Sequence, residues 1–140
     1  MVGAKYTNLP PLKKIPIVHY QHHLTVINIY LILRKSYPEV TWMSERYLIR
    51  NNSRQRNKKK HFADGELIFA TNKRIAIEVE LSLKGKKRVD DILKSYATQS
   101  DIEEVWYYCP NNILPFIQPI AAKWSFVRVN SLEDFYYAGK

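Results

Sequence analysis

Two glutamates stand on one face of a predicted strand. From residue 74 to residue 82, apolar side chains occupy every second position, so Glu78 and Glu80 point the same way. Asp64 precedes the partner strand of a predicted hairpin, which places it beside both glutamates. Three carboxylates offer oxygen ligands to Mg²⁺ or Mn²⁺, and such a cation can activate water for attack on a phosphodiester. On a sheet face open to solvent, the same glutamates need no functional explanation.

Basic side chains outnumber acidic ones by 22 to 13, for a net charge of +9, and many lie in two segments. Residues 50–60, the basic segment, carry no acidic or aliphatic side chain, which predicts an exposed loop. Its cations are Arg50, Arg54, Arg56, Lys58, Lys59 and Lys60; the second cluster is Lys84, Lys86, Lys87 and Arg88. Such charge attracts a polyanion through counterion release, so we expect these residues, apart from Lys84, to contact DNA. A solvated loop without a partner has the same composition.

The histidines are further candidates for metal binding or catalysis. His19, His22 and His23 surround the start of a predicted helix, where a role in the helix start or in the core is favoured over metal binding or general-base catalysis. His61 is close to Asp64 in sequence and is kept as a neighbour of the acids.

Composition excludes several protein classes. The 140 residues, 46 % of them hydrophobic, suffice for one domain with a core, and no apolar run approaches the ~18 residues of a membrane helix. No secretory signal is recognisable, and the single Cys109 forms no internal disulfide, so we expect a cytoplasmic protein with a buried structural thiol. The aromatic runs 106–108 and 136–137 fit a core, with stacking on bases as the alternative.

Hydrophobic periodicity predicts four helices and five strands. The helices are expected at 22–37, 87–98, 111–123 and after a cap at Ser131, and the strands at 41–49, 65–70, 74–82, 104–109 and 125–129. Residues 71–73 form the turn of a hairpin. This order predicts an α/β fold in which helices flank both faces of a mixed β-sheet. We expect residues 1–21 to be an extended arm and residues 22–140 a single domain.

Short motifs in the middle of the chain resemble the PD-(D/E)XK nuclease superfamily. The stretches Phe62-Ala-Asp-Gly-Glu66 and Ile75-Ala-Ile-Glu-Val-Glu-Leu-Ser-Leu-Lys84 resemble its core. Over residues 22–110 the chain is similar, more narrowly, to the nuclease-like domain of the replication-relaxation family. That similarity lies in His23-Leu-Thr-Val26, Trp42-Met-Ser-Glu-Arg46, Ala63-Asp-Gly65, residues 78–84, Arg88, Leu93 and Tyr96. The resemblance implies a restriction-endonuclease-like core of order αβββαβ.

The resemblance also assigns roles to individual residues. It implies that Asp64 and Glu78 are metal ligands and that Glu45 is an auxiliary acid. Glu80 stands where the usual motif has a lysine, and some restriction enzymes of the superfamily also have Glu there. Lys84 or Lys73 is left to supply the positive charge beside the attacking water.

These observations lead us to expect a Mg²⁺- or Mn²⁺-dependent DNA nuclease linked to a mobile element, plasmid or phage. Asp64, Glu78 and Glu80 would hold the metal, and Lys84 would orient the water. The alternative is a non-catalytic DNA-binding or accessory protein of the same fold, working with a replication or relaxase protein. An RNA-binding protein that uses its tyrosines is more distant. The sequence leaves the oligomeric state open, a homodimer included.

Overall fold

Helices and strands follow one another along the chain in a computed structural model that describes residues 17–55 and 61–139. Its elements are α1 (Ile17–Ser36), β1 (Thr41–Ser44), α2 (Glu45–Gln55), β2 (Gly65–Ile68), β3 (Arg74–Val79), α3 (Lys86–Ala97), β4 (Glu104–Cys109), α4 (Leu114–Ala121), β5 (Val127–Ser131) and α5 (Leu132–Ala138). A 3₁₀ turn, Leu83–Gly85, leads into α3. None of the helices in the described ranges is long and apolar enough to cross a membrane.

The five strands form one mixed sheet in the order β1-β2-β3-β4-β5. β1, β2 and β3 are antiparallel to one another, whereas β3, β4 and β5 run parallel. The predicted hairpin is confirmed: the Phe69 amide donates to the Lys73 carbonyl at 2.9 Å, and Asn72 adopts a positive φ of 68° in the turn. Asn tolerates this left-handed conformation better than most residues. The predicted α/β fold with a mixed sheet flanked by helices is therefore confirmed.

β3 is buried on both faces, and its successive side chains point alternately into two hydrophobic cores on opposite sides of the sheet. Ile75, Ile77 and Val79 pack with residues of α1 and α5. Ala76 belongs to the opposite core, which contains side chains of α3 and α4. The alternation predicted from the sequence is confirmed, and it leaves Glu78 on a covered face, where it is only 3 % exposed.

The segment from residue 41 to residue 55 differs from the prediction. The strand ends at Ser44, and residues 45–49, predicted as strand, begin α2 instead. Ser44 caps this helix, because its hydroxyl accepts a hydrogen bond from the Tyr47 amide at 3.2 Å, and Glu45 supplies an acid in the first turn. The basic segment is consequently helical from Arg50 to Gln55, not a loop; residues 56–60 lie outside the described residues.

Other boundaries shift by smaller amounts. α1 begins at Ile17, so residues 17–21 are helical and not part of an extended arm, while residues 1–16 lie outside the described residues. The predicted cap of α5 is confirmed, since the Asp134 amide donates to the Ser131 hydroxyl at 3.2 Å. Cys109 is fully buried, as predicted. Tyr107 and Tyr108 are also buried, which confirms the core interpretation for them.

Candidate active site

A cavity of about 660 Å³ opens beside β3 and brings the predicted acids together. It is lined by His19, His22, His23, Glu45, His61, Phe62, Asp64, Glu78, Glu80, Leu81, Ser82, Arg88 and Ile92. These residues come from α1, α2, the segment before β2, the end of β3 and α3. All four histidines of the chain and all four predicted acids therefore border one space.

Asp64 is fixed at the edge of β3 by its backbone and by its side chain. Its amide donates to the Ile77 carbonyl at 3.0 Å, and its Oδ2 accepts from the Val79 amide at 2.8 Å. Nε2 of His22 on α1 lies 3.3 Å from the same Oδ2. The hydrogen bond with Asp64 raises the pKa of His22, although burial opposes this effect. Asp64 thus joins the hairpin to α1 at the cavity wall.

Glu78 is the most buried acid of the cavity. Its Oε1 accepts a hydrogen bond from the Tyr96 hydroxyl at 2.6 Å and lies 2.7 Å from Nε2 of His61. Burial raises the pKa of Glu78 to about 7 against the opposing hydrogen bond from His61, and the charge of Asp64 raises it further. For His61, burial lowers the pKa, but the hydrogen bond and charge of Glu78 outweigh it and the net shift is upward.

Glu80 follows β3 directly and is turned toward α3. Its carboxylate accepts from the Ser82 amide at 3.1 Å and lies 3.4 Å from Nη2 of Arg88. Gly85 packs against this carboxylate so closely that a Cβ there would overlap it. Glu80, at the position where the motif that the sequence resembles has a lysine, is therefore an acid whose charge is balanced by Arg88.

Glu45 lies at the rim of the cavity, at the first helical position of α2. Partial burial raises its pKa, and the charge of Asp64 raises it further. The charge of Asp64 therefore raises the pKa of both Glu45 and Glu78. Glu45 thus borders the same cavity as Asp64, Glu78 and Glu80, and its role as an auxiliary acid stays a prediction.

The cavity contains carboxylate oxygens and imidazole nitrogens in a paired arrangement. Within residues 17–55 and 61–139, no three His, Cys, Asp or Glu side chains are grouped closely enough to hold a metal ion as they stand. Carboxylate oxygens and imidazole nitrogens together nevertheless fit a divalent cation chemically. The pairs His22–Asp64 and His61–Glu78 would have to open or reorient to bind it, because each carboxylate now bonds to its own histidine.

Lys73 and Lys84 were the two lysines predicted to supply a positive charge beside the acids. Lys73 immediately precedes β3, at the end of the strand opposite to Glu80. Its Nζ lies 2.6 Å from Oε2 of Glu104, so Lys73 does not contact the acids of the cavity. The backbone of Lys84 is in the 3₁₀ turn before α3, but its side chain lies outside the described residues. The cation that contacts Glu80 is Arg88.

Of the basic residues predicted to contact DNA, the structure describes only some. Arg50 is exposed on α2, and Lys86 and Lys87 are exposed in the first turn of α3. The side chain of Arg54 and all of Arg56, Lys58, Lys59 and Lys60 lie outside the described residues.

Three functional contacts were missed by the sequence analysis. His22 was assigned to a helix start or the core, Arg88 to DNA binding, and Tyr96 was named only as part of the motif resemblance. Their contacts with the acids join residues 18, 8 and 42 positions apart in the chain (Tyr96 to Glu78, Arg88 to Glu80, His22 to Asp64). No local spacing encodes such contacts.

Comparison of this chain with protein-family models, with curated proteins and with solved structures finds no match. The chemistry of the cavity is therefore the basis on which a function is assigned.

Proposed function

We propose that this chain is a metal-dependent nuclease that hydrolyses DNA in the cavity beside β3. The observation that carries the proposal is the grouping of Asp64, Glu78 and Glu80, from one hairpin, around one open cavity. The proposal includes a restriction-endonuclease-like core of α1, β1, β2, β3, α3 and β4, with α2 inserted after β1. A link to a mobile element, plasmid or phage rests on the motif resemblance alone.

The burial of two glutamates supports a functional site over a purely structural one. Glu78 and Glu80 are 3 % and 5 % exposed, and glutamate is disfavoured both in strands and in apolar surroundings. Replacing a buried ion pair with packed apolar side chains is often neutral or stabilising. Folding alone therefore gives no reason for this chain to keep two buried acids at the end of a central strand.

The residues of the cavity divide into metal ligands and groups that position them. Asp64 and Glu78 would hold Mg²⁺ or Mn²⁺, which supplies an activated water and stabilises charge on the phosphate. His61 fixes the direction of the Glu78 carboxylate, as partners of metal ligands commonly do. His22, whose Nε2 lies 3.3 Å from Oδ2 of Asp64, would be close enough to bind the same metal through its imidazole nitrogen. Arg88 is 66 % exposed in its side chain, so it can contact a phosphate at the mouth while it balances Glu80.

The start of α3 supports a polyanionic substrate. Lys86 and Lys87 open this helix, and its first turn has no acidic residue. Cations at the positive end of a helix are unfavourable, and a phosphate bound there would remove that repulsion. Because Arg88 belongs to the same turn, this basic edge is continuous with the cavity.

The test is incubation with supercoiled plasmid, single-stranded DNA and branched DNA, with Mg²⁺, with Mn²⁺ and with chelator. We expect metal-dependent cleavage of at least one of these DNAs, lost in Asp64→Asn and Glu78→Gln. Glu66→Gln is the matched control, because Glu66 is a buried acid of the same hairpin that is bound to Arg74 outside the cavity. Cleavage that persists equally in Asp64→Asn would contradict the proposal.

The second candidate is a DNA-binding module that does not cut. It is favoured by the replacement of the motif lysine with Glu80 and by the pairing of Asp64, Glu78 and Glu80 with His22, His61 and Arg88. Salt-sensitive binding to DNA without cleavage under any metal condition would support this candidate over the nuclease.

A further inference from the structure

α1 is apolar on two opposite sides, and within residues 17–55 and 61–139 other side chains cover only one of them. Its inner side, with Val26, Ile29 and Leu33, is buried against the sheet. The outer side forms what we term the α1 ridge: Ile17, Tyr20, Leu24, Ile27 and Leu31, which are 39 % to 74 % exposed. A run of large apolar side chains at a protein surface marks an interaction site more often than isolated ones do.

The spacing of the α1 ridge is that of a helix-packing seam. Successive members are three, four, three and four residues apart. This average of 3.5 residues keeps the side chains in one line along the helix, as in the a and d positions of a coiled coil. At 1.5 Å per residue, the line from Ile17 to Leu31 is about 21 Å long. The ridge is therefore shaped to pack against another helix.

An apolar groove runs beside the ridge, between α1 and α2. It has a volume of about 310 Å³, and its apolar walls include Ile27, Tyr30, Trp42 and Ile49. Its polar lining includes His22, His23, Glu45 and Asp64, which also border the candidate active-site cavity, so the groove adjoins that cavity. Tyr30 stacks on Trp42 with ring centroids 4.9 Å apart, so these two side chains form one continuous aromatic wall of the groove. A ridge and a groove side by side on one surface are complementary to the same surface of a second copy, related by a two-fold axis.

The charge distribution also favours a second copy. Residues 17–33 of α1 contain no Asp, Glu, Lys or Arg, although the chain as a whole carries a net charge of +9. Two copies can therefore approach along α1 without the repulsion that their other surfaces would produce. An acidic partner, by contrast, would find no fixed cation on the ridge to recognise.

We propose that the α1 ridge and the adjoining α1–α2 groove form the interface of a homodimer. In this dimer the ridge of each copy packs into the groove of the other. A single helix strip about 21 Å long and about 11 Å wide covers only roughly 230 Å², whereas a stable interface buries about 800 Å² per partner. The contact must therefore include α2, where Tyr47 and Ile49 are also exposed, and we expect a dimer of moderate affinity.

Sedimentation velocity of the full chain at low to high micromolar concentration tests this proposal. The wild type should show a concentration-dependent dimer. Leu24→Glu should raise the dimer Kd at least about tenfold, because it would bury an unpaired carboxylate in the seam. Tyr137→Glu is the matched control, since Tyr137 is 82 % exposed on α5 and should leave the Kd unchanged.

Circular dichroism and thermal melting of each variant show whether it is folded. Leu31→Lys is the second ridge variant, should Leu24→Glu not fold. A wild type that stays monomeric at all concentrations overturns the proposal, whatever else covers the ridge. Folded ridge variants that dimerise as tightly as the wild type overturn it as well.

Discussion

Asp64, Glu78 and Glu80 each have a basic neighbour in the cavity, and the neighbour of Asp64 leads to a testable prediction. Nε2 of His22 lies 3.3 Å from Oδ2 of Asp64, within reach of any cation bound there. Mg²⁺ takes oxygen ligands almost exclusively, whereas first-row transition metals also accept imidazole nitrogen. The site should therefore bind Mn²⁺ more tightly than Mg²⁺.

His22→Ala should lower the affinity for Mn²⁺ by about 10- to 100-fold and change that for Mg²⁺ much less. Isothermal titration with each metal measures both affinities. His19→Ala is the control, because His19 lines the same cavity and should leave both unchanged. An equal loss for the two metals would assign His22 a merely structural role.

Glu104, away from this cavity, makes stability depend on acid pH. A hydrogen bond from Lys73 and another from Arg128 lower its pKa from 4.5 to about 2, although partial burial opposes the shift. A carboxyl with a lowered pKa in the folded state stabilises the protein above its unfolded pKa, and this contribution is lost as pH falls toward the folded pKa. The contribution of Glu104 should therefore disappear between pH 4.5 and about 2.

Chemical denaturation of the wild type and Glu104→Gln across acid pH measures this effect. The difference in free energy of unfolding should be largest near neutral pH and should shrink as pH approaches 2. A difference that does not change with pH would mean that Glu104 has an ordinary pKa in the folded protein.

Among the elements, β3 determines both the core and the position of the acids. Ile77 is fully buried under α1 and α5, so Ile77→Ala should lower the free energy of unfolding by about 2–5 kcal/mol. Tyr137→Ala, at an exposed position, should change it by less than about 0.5 kcal/mol. Urea denaturation compares the two. A loss below about 1 kcal/mol at Ile77 would contradict the packing on which the orientation of Glu78 depends.

β3 was predicted correctly from the sequence, whereas the segment from residue 41 to residue 49 was not, and the difference lies in their side-chain patterns. β3 has a period of two, and its two sets of side chains differ in polarity, so the sequence alone separates its faces. Residues 41–49 mix aromatic, apolar and polar side chains with no clear period, and the prediction extended the strand through them. Ser44, followed by the acid Glu45, was the available sign of a helix start, because both favour the first turn.

The candidate site was predictable only where local spacing places its residues. Asp64 and Glu78 come from one hairpin, so pairing of neighbouring strands brought them together. His22 reaches Asp64 from α1, and Tyr96 reaches Glu78 from α3, through helix packing on opposite faces of the sheet. Packing of this kind depends on the whole fold, and so these partners could not be derived from their positions in sequence.

For the whole molecule, the excess of positive charge predicts how the proposed DNA binding responds to salt concentration. The logarithm of the affinity should fall linearly with the logarithm of salt concentration, with a slope set by the number of phosphates contacted. Replacing Lys58, Lys59 and Lys60 together with Ala should flatten that slope by up to about three units, because each lysine displaces about one counterion.

Fluorescence anisotropy at several salt concentrations measures the slope. The matched control replaces Lys35, Lys94 and Lys123, three exposed lysines outside the cavity, and removes the same total charge. If both triple variants flatten the slope equally, net charge and not the basic segment governs binding.

The most direct test of the proposed metal site needs no substrate: thermal melting with and without Mn²⁺ or Mg²⁺. A metal at about ten times its Kd stabilises the folded state by about 1.4 kcal/mol, which should raise the wild-type Tm by roughly 5 °C. Asp64→Asn keeps an oxygen that can accept from the Val79 amide, so it should fold, yet it should lose most of the shift. Glu66→Gln should keep the shift. A wild type whose Tm rises with neither metal, or an Asp64→Asn variant that gains as much as the wild type, would contradict a metal-dependent site at Asp64 and Glu78.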